Sequence, residues 1–369
     1  MSEPLRVAMV MPPTIIGDPK AVVATWTTLT RTIAEVHAIA DVAFHVVGRH
    51  DSGPYQWVDG PDSYSFLAGD GQLGQAIALA RPDVVHVHGL THARQRLAMQ
   101  SWMATTLGAR GLPPIVLQHH GEPVPSWRTR LAHRWNRQRP AGYLFTGAEH
   151  GQAQPFIDSG MLRRSDRLFE VLEAGSLLRA RDPAALPKAL AGSPSILWVG
   201  RLIEGKQPLV AIEAFRQFAA TRPAAHLHLL ATDRTLEPEV RAAIDALGPL
   251  AQQVHLHDPV PHADMAGWYE AADVYLSTSV REGSNYSLIE AMTLGCAPAV
   301  SDIPPHRAIA GGLNSPFAAG DAIAAERAIE RATTLPRADV LAFAEDRLSW
   351  RSIADRLVEV WESLRTQAT

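Results

Sequence analysis

Two glutamates, Glu282 and Glu290, stand eight positions apart in the run from Ala271 to Met292, Ala-Ala-Asp-Val-Tyr-Leu-Ser-Thr-Ser-Val-Arg-Glu-Gly-Ser-Asn-Tyr-Ser-Leu-Ile-Glu-Ala-Met. The run reads as a buried strand, a turn holding Gly283, and the opening of a helix. Such a junction in an α/β protein directs backbone N–H groups and the positive end of the helix dipole toward the carboxyl edge of the sheet. Carboxylates beside an anion site suit a ligand that is part phosphate and part polyol. Amides would hold the phosphate oxygens, and the acids would accept hydrogen bonds from sugar hydroxyls. A nucleotide sugar meets that description.

A second candidate anion site lies upstream. Trp198 to Pro208 reads Trp-Val-Gly-Arg-Leu-Ile-Glu-Gly-Lys-Gln-Pro: a strand end, a loop with two glycines, and a helix start with proline in its first turn. Arg201 and Lys206 sit on the loop. A departing diphosphate gathers negative charge as its bond to carbon breaks, so cations fixed there beforehand lower the barrier. Arginine can chelate two phosphate oxygens, while lysine supplies a point charge. Taken alone, the loop reads equally as an ordinary surface turn; the Glu282 to Glu290 run tips the balance toward function.

These groups must be carried by something. Short apolar runs alternate with helical patterns through most of the chain, the pattern of parallel βαβ units. In the first half, strands are expected at Val7–Met11, 41–47, Val84–His88, 114–118 and 143–146, and helices at 21–40, 73–80, 91–107 and 126–138. A Pro- and Ala-rich passage, 179–194, reads as a linker. A second series follows: strands from Ser195, His226, Val254 and Ala297, and helices near 208–221, 238–247 and 263–271. Apolar residues at Ile353, Leu357, Val360, Trp361 and Leu364 predict an amphipathic terminal helix. The expected fold class is α/β, with two Rossmann-like, doubly wound parallel-sheet domains facing across a cleft. Residues 1–178 form the first and 179–349 the second, with 350–369 packing back on the first.

A chain of 369 residues suits two domains. A formal charge of −4 offers no general attraction to nucleic acid, and no nucleic-acid partner is expected. The single cysteine, Cys296, excludes an intrachain disulfide and reads as packing in a reducing compartment. The opening Leu5–Met11 run is too short for a signal peptide, and no apolar stretch reaches membrane-spanning length. The expected location is the cytoplasm.

From Leu197 to about Pro305 the sequence resembles the C-terminal domain of the group 1 (family 4) retaining glycosyltransferases of the GT-B fold. The resemblance rests on Gly200-Arg201-Leu202, Lys206, Leu256 to Val260, Tyr269 to Val274, Glu282-Gly283, Glu290-Ala291-Met292, Gly295 and Ser301-Asp302. The first half agrees more loosely, through Pro12-Pro13, Gly17, the Pro82 to His88 strand and His120-Gly121. The resemblance implies transfer of a hexosyl or related group from a nucleoside-diphosphate sugar, with retention, to a carbohydrate, lipid-linked or small-molecule acceptor. It implies that Glu290 binds ribose hydroxyls and Glu282 the transferred sugar. The stretch Gly283, Ser284, Asn285, Tyr286 and Ser287 would hold sugar and distal phosphate, chiefly through backbone amides. Arg201 and Lys206 would neutralise the diphosphate, while His120 and the Gly17 loop close over the donor sugar. It also implies no metal and no cofactor, and no Asp-x-Asp pair occurs in the chain.

The chain departs from the family pattern in several places. Ser284-Asn285-Tyr286 follows Gly283 where Phe-Gly is common, and Ala231-Thr232-Asp233 replaces a Gly-Asp-Gly loop. Glu173-Ala174-Gly175 stands where Pro-Asn-Gly is usual, and the first loop, Thr14 to Gly17, has one glycine where two are frequent. A nucleotide-sugar epimerase on the same architecture and a non-catalytic nucleotide-sugar-binding protein are the alternatives. The first would convert donor without acceptor; the second would bind without turnover.

Two further features were weighed. His86/His88, His226/His228 and His255/His257 form three His-x-His pairs, which on strands present both rings to one face and could chelate a metal. With each pair on its own strand and no convergent third ligand in view, structural histidines are the favoured reading. The stretch 126–139 holds five arginines and no acid. It reads as an amphipathic helix with a basic face in solvent, or else as a patch for an anionic acceptor and peripheral membrane contact.

Overall fold

The computed structural model describes residues 3–90, 100–101, 103–104, 106–107, 111–134, 139–178, 190–313 and 316–366. Most of the helix expected over 91–107, most of the 179–194 passage and positions 135–138 of the basic stretch lie outside the described residues. The chain divides into two compact units, Met1–Ala174 with Trp350–Thr369, and Gly175–Ser349.

In the N-terminal unit the strands are β1 (Leu5–Ile15), β2 (Val42–His50), β3 (Tyr55–Asp59), β4 (Asp62–Leu67), β5 (Val84–His88), β6 (Ile115–Gln118), β7 (Gly142–Phe145) and β8 (Leu168–Glu170). They form one sheet in the order β3-β4-β2-β1-β5-β6-β7-β8, parallel except for β3. Val7, Met9, Phe44 and Val46 face one apolar layer, and Ala8, Val10, Val85 and Leu117 the other. Burial on both faces is what a parallel sheet requires, and explains why these strands read as continuous apolar runs. Helices Thr27–His37 and Trp350–Arg365 cover the first face through Leu29, Ile33, Val36, Ile353, Leu357 and Trp361. Helix Asp70–Ala80 covers the second through Leu73 and Ile77.

The β3–β4 hairpin was not anticipated. It turns at Gly60-Pro61, where glycine takes the positive φ of 58° without steric cost. Trp57 lies flat on Tyr64, with ring centroids 4.4 Å apart. The single helix expected over 21–40 is two, Pro19–Thr25 and Thr27–His37, interrupted where Trp26 leaves helical geometry.

The second unit holds β9 (Ser195–Gly200), β10 (His226–Ala231), β11 (Val254–His257), β12 (Val274–Ser277) and β13 (Ala297–Val300). All are parallel, in the order β11-β10-β9-β12-β13. Strand order therefore reverses between β9 and β12. Ligands of open α/β sheets sit in the crevice that such a reversal opens at the carboxyl ends. Helices Pro304–Ala310, Ala322–Ala332 and Arg337–Arg347 complete the unit. Cys296 is buried, its thiol pushed up to about 12 by desolvation, so it packs rather than reacts. Among the described residues no helix is long and apolar enough to cross a membrane.

The histidine pairs of this unit are not independent, as the sequence suggested they were. Register places His228 beside His255 on adjacent strands. His226 Nδ1 lies 2.8 Å from His255 Nε2, and His228 Nδ1 lies 3.0 Å from His257 Nε2. His228 Nε2–H donates to the Ala191 carbonyl at 2.8 Å. Its neutral Nδ1 therefore accepts from His257. The rings are paired with one another, and no group of three or more possible ligands is arranged for a metal among the described residues.

Burial holds the His228 imidazole down to about 4, with the neighbouring imidazoles adding to the effect against the Ala191 hydrogen bond. A histidine with a depressed native value contributes stability that is present above about pH 6.5 and is lost as pH falls toward 4, because the unfolded chain binds the proton first. Thermal unfolding followed from pH 7.5 to 4.5 should show the melting temperature falling through that window, with a shallower slope for His228→Asn. Separately, Trp361 is fully buried and meets Phe44 edge to face at 5.8 Å. Trp361→Ala should cost about 3–5 kcal/mol in denaturant unfolding.

Candidate functional site

In the second unit the site is built on the loops that follow β9 and β12. The ring of Trp198 lies over Gly200, where an added Cβ would sit 3.0 Å from the indole, so the chain leaves β9 through a position that favours glycine. The loop then descends to Gln207, a non-glycine residue at φ 48°, directly before Pro208 opens a helix. That left-handed conformation is costly and persists only where the surroundings enforce it. The enforcing contacts come from the end of β12. Thr278 Oγ1 lies 2.8 Å from the Lys206 carbonyl and 2.9 Å from that of Gln207, and Val280 N–H donates to Gly205 O at 3.0 Å. These bonds carry Lys206 to Glu282, and its Nζ is hydrogen-bonded and ion-paired with Glu282 Oε1. Both side chains are largely buried, 20% and 10% exposed, so each charge depends on the other or on a ligand to replace it.

Arg201 is exposed at the carboxyl end of β9. It lies near Asp233, whose carboxyl is held below its usual range by hydrogen bonds from Thr235 and by the Arg201 charge. The two loops are joined by Leu202 N–H to Asp233 O at 2.7 Å. Among the described residues no hydrogen bond or ion pair occupies the Arg201 guanidinium.

Asn285 precedes the helix Tyr286–Thr293, and its side chain is engaged within the protein. Its Oδ1 accepts from Leu288 N–H at 3.1 Å as an N-cap. Its Nδ2 donates to His306 Nε2 at 2.9 Å and to Ser277 Oγ at 3.3 Å, and the residue is 5% exposed. His306 is buried and depressed to about 4 by desolvation. It donates from Nδ1 to Ser301 O at 2.9 Å, leaving Nε2 to accept, which fixes the Asn285 amide orientation. The Asn285 side chain thus builds the turn and is closed to a ligand. Ser287 lies beside the buried hydroxyls of Tyr269 and Tyr275. What the turn leaves open is backbone. The N–H groups of Ser284, Asn285 and Ser287 donate to no described residue, as expected for a helix N-terminus. Ser284 Oγ is enclosed without a partner among the described residues, and Tyr286 is 43% exposed.

Glu290 lies further along the same helix. Its Oε1 is 2.6 Å from His262 Nε2, and its Oε2 accepts from the Tyr269 hydroxyl at 3.2 Å. His262 follows β11 and is 61% exposed, whereas Tyr269 is fully buried. Tyr275, wholly buried, is raised by desolvation first and then by the charges of both Glu282 and Glu290, so it lies within reach of both fields. Lys206, Glu282, the helix N-terminus and Glu290 are therefore gathered on the carboxyl side of the β9/β12 reversal. The partners His262, Tyr269 and His306 were missed. Their contacts span 21 to 28 positions of sequence, and no local spacing signals them.

In the N-terminal unit Gly17 adopts φ 85°, and its carbonyl lies 2.9 Å from His50 Nε2. His50 Nδ1 faces Gly53 O at 2.7 Å. Two carbonyls against two ring nitrogens favour the imidazolium, and His50 is accordingly raised, first by the Gly53 contact. His120 lies just past β6, with Nδ1 3.2 Å from Glu173 Oε2 and Nε2 3.0 Å from His88 Nδ1. The basic helix spans Trp127–Arg134. Trp127 is 62% exposed, and Arg130 donates to Ser159 O at 3.0 Å.

Residues 193–334 match the family described as glycosyl transferases group 1. The chain is 24% identical over 235 residues to the GDP-mannose:cellobiosyl-diphosphopolyprenol alpha-mannosyltransferase of Xanthomonas campestris, a match covering 62% of this chain and 58% of that one. It is 25% identical over 370 residues to the D-inositol 3-phosphate glycosyltransferase of Thermobispora bispora, covering 90% and 83%. Among solved structures, alpha,alpha-trehalose 6-phosphate synthase from Burkholderia multivorans superposes with a TM-score of 0.62 at 16% identity, covering 99% and 98%. The matched segment and the shared architecture agree: residues 193–334 match the group 1 glycosyl transferases, and the chain as a whole has the GT-B fold of the solved glycosyltransferases it resembles.

Proposed function

We propose that the protein transfers a glycosyl group from a nucleoside-diphosphate sugar to an acceptor hydroxyl, with retention of anomeric configuration. The observation that carries this reading is the largely buried Lys206–Glu282 pair beside the open amides of the Tyr286–Thr293 helix. A cation, a carboxylate and a helix N-terminus at one sheet reversal match the three parts of such a donor. Lys206 turns from Glu282 to the diphosphate, Arg201 takes the remaining phosphate oxygens, and Glu282 is released to the hydroxyls of the transferred sugar. Glu290, steadied by Tyr269, receives the ribose hydroxyls in exchange for His262. Ser284 Oγ and the amides of the turn hold the distal phosphate and sugar. His120 and the Gly17 turn are assigned to the donor sugar as well. Relatives named for GDP-mannose and inositol-phosphate chemistry support the substrate class without choosing the sugar.

In the step itself, the bond between the anomeric carbon and the phosphate oxygen breaks, and its electron pair stays on that oxygen. The acceptor oxygen bonds to the same face of the carbon, and its proton passes to the leaving phosphate. Growing charge on the diphosphate is met by Arg201, Lys206 and the helix dipole, so the positive charge comes from the protein itself.

Thermal-shift screening against nucleoside diphosphates and their sugar conjugates should find one that raises the melting temperature, since a ligand of the native state stabilises it. Incubating that donor with and without candidate acceptors then separates transfer from epimerisation and from binding alone. Arg201→Ala should lower turnover at saturating donor about 100-fold or more; unchanged turnover removes Arg201 from the mechanism. Lys206→Met should weaken nucleoside-diphosphate binding by roughly 10-fold or more, the scale of a lost charge-assisted contact, as read by calorimetry. Turnover should survive excess EDTA.

A further inference from the structure

Glu173 lies just past β8, and its side chain is only 5% exposed. A carboxylate so enclosed is costly unless a cation or several donors meet it. Its Oε2 lies 3.2 Å from His120 Nδ1, so that nitrogen carries a proton and donates. The other ring nitrogen, Nε2, lies 3.0 Å from His88 Nδ1, with the two rings stacked at 5.2 Å. A contact between two imidazole nitrogens needs one proton, and the surroundings decide which ring supplies it.

The groups facing this pair favour His120 as the charged member. Glu122 presents a second carboxylate, its Oε2 accepting His120 N–H at 2.7 Å and its Oε1 accepting Leu90 N–H at 3.0 Å. His88 is partly buried beside His120 and stacks on His86 at 4.6 Å. Burial, then the neighbouring imidazoles, hold His88 well below its ordinary value, and His86 down to about 3. His86 is fixed in turn by Gln118 Oε1 at 3.0 Å and by the edge of Trp361. His119, also buried, is lowered by desolvation against the opposing Glu122 contact. At His120 desolvation is outweighed by the Glu173 hydrogen bond and by the charges of Glu173 and Glu122, and the group is raised.

We infer that Glu173 and His88 are positioning residues that hold His120 as an imidazolium with a fixed ring plane. Resting on the assignment of His120 to the donor sugar, the inference makes that contact a charged one. The cation is present below the raised His120 titration and is lost as pH rises through it. On donor binding, a sugar oxygen replaces His88 Nδ1 as the acceptor of Nε2–H while Nδ1–H stays with Glu173, so ring orientation is kept when the partner changes.

The test uses the full chain with ring-labelled histidine, His120 being assigned by its loss in His120→Gln. The His120 titration midpoint should fall by about 1–3 units in Glu173→Gln, the range expected for removing a carboxylate at this distance. Should that variant fail to fold, Glu173→Asp, with its shorter reach, should give a smaller fall. An unchanged midpoint in the folded variant overturns the inference. The stabilisation given by UDP-glucose or GDP-mannose, whichever binds, is then followed against pH and should lose its alkaline limb at correspondingly lower pH in Glu173→Gln. A midpoint that moves while the donor's pH dependence stays fixed upholds the charge pairing and refutes instead the placing of His120 at the sugar.

Discussion

Adjacent parallel strands whose order reverses leave two loop ends side by side with no helix between them, and the second unit depends on what fills that gap. Here it is filled by the tie between the β9 and β12 loops. Thr278 and Val280 bind the backbone at Gly205, Lys206 and Gln207 and hold Gln207 in a left-handed conformation it would not choose alone. The result is an ammonium delivered to a carboxylate at the mouth of a helix N-terminus. Without a ligand, Lys206 and Glu282 satisfy one another. Under the proposed function a diphosphate sugar would give each a better partner, so binding would replace one set of charge contacts with another instead of creating charge in a dry site.

The N-terminal unit uses a different device. Trp361, His86, His88, His120 and Glu173 form a continuous line of ring and hydrogen-bond contacts from the terminal helix to the carboxyl edge of the sheet. Its inner members are kept neutral by burial, and its outer member lies against carboxylates. The apolar packing of helix Trp350–Arg365 is thus mechanically connected to a functional candidate through side chains far apart in sequence.

Much of this architecture was legible in advance. Strand β5 was read with its observed bounds, because a buried parallel strand rich in β-branched residues between helical patterns has few alternative readings. The β3–β4 hairpin was missed because its outer strand is largely exposed, with no apolar run to reveal it. The helix over 21–40 was read as continuous because its apolar period does not register the break at Trp26.

The Glu282 to Glu290 spacing, the glycines at Gly200 and Gly205 and the cations beside them depend on local strand–turn–helix geometry, so the amino-acid order alone was sufficient to propose a phosphate and polyol site. Assigning partners was another matter. That Lys206 meets Glu282, that Asn285 is spent on capping, and that Glu290 is shared between Tyr269 and His262 follow from side chains brought together across the sheet. The same holds for His228 beside His255 and for Glu173 beside His120. Strand register and burial decide these contacts, and neither is a property of any short stretch of chain.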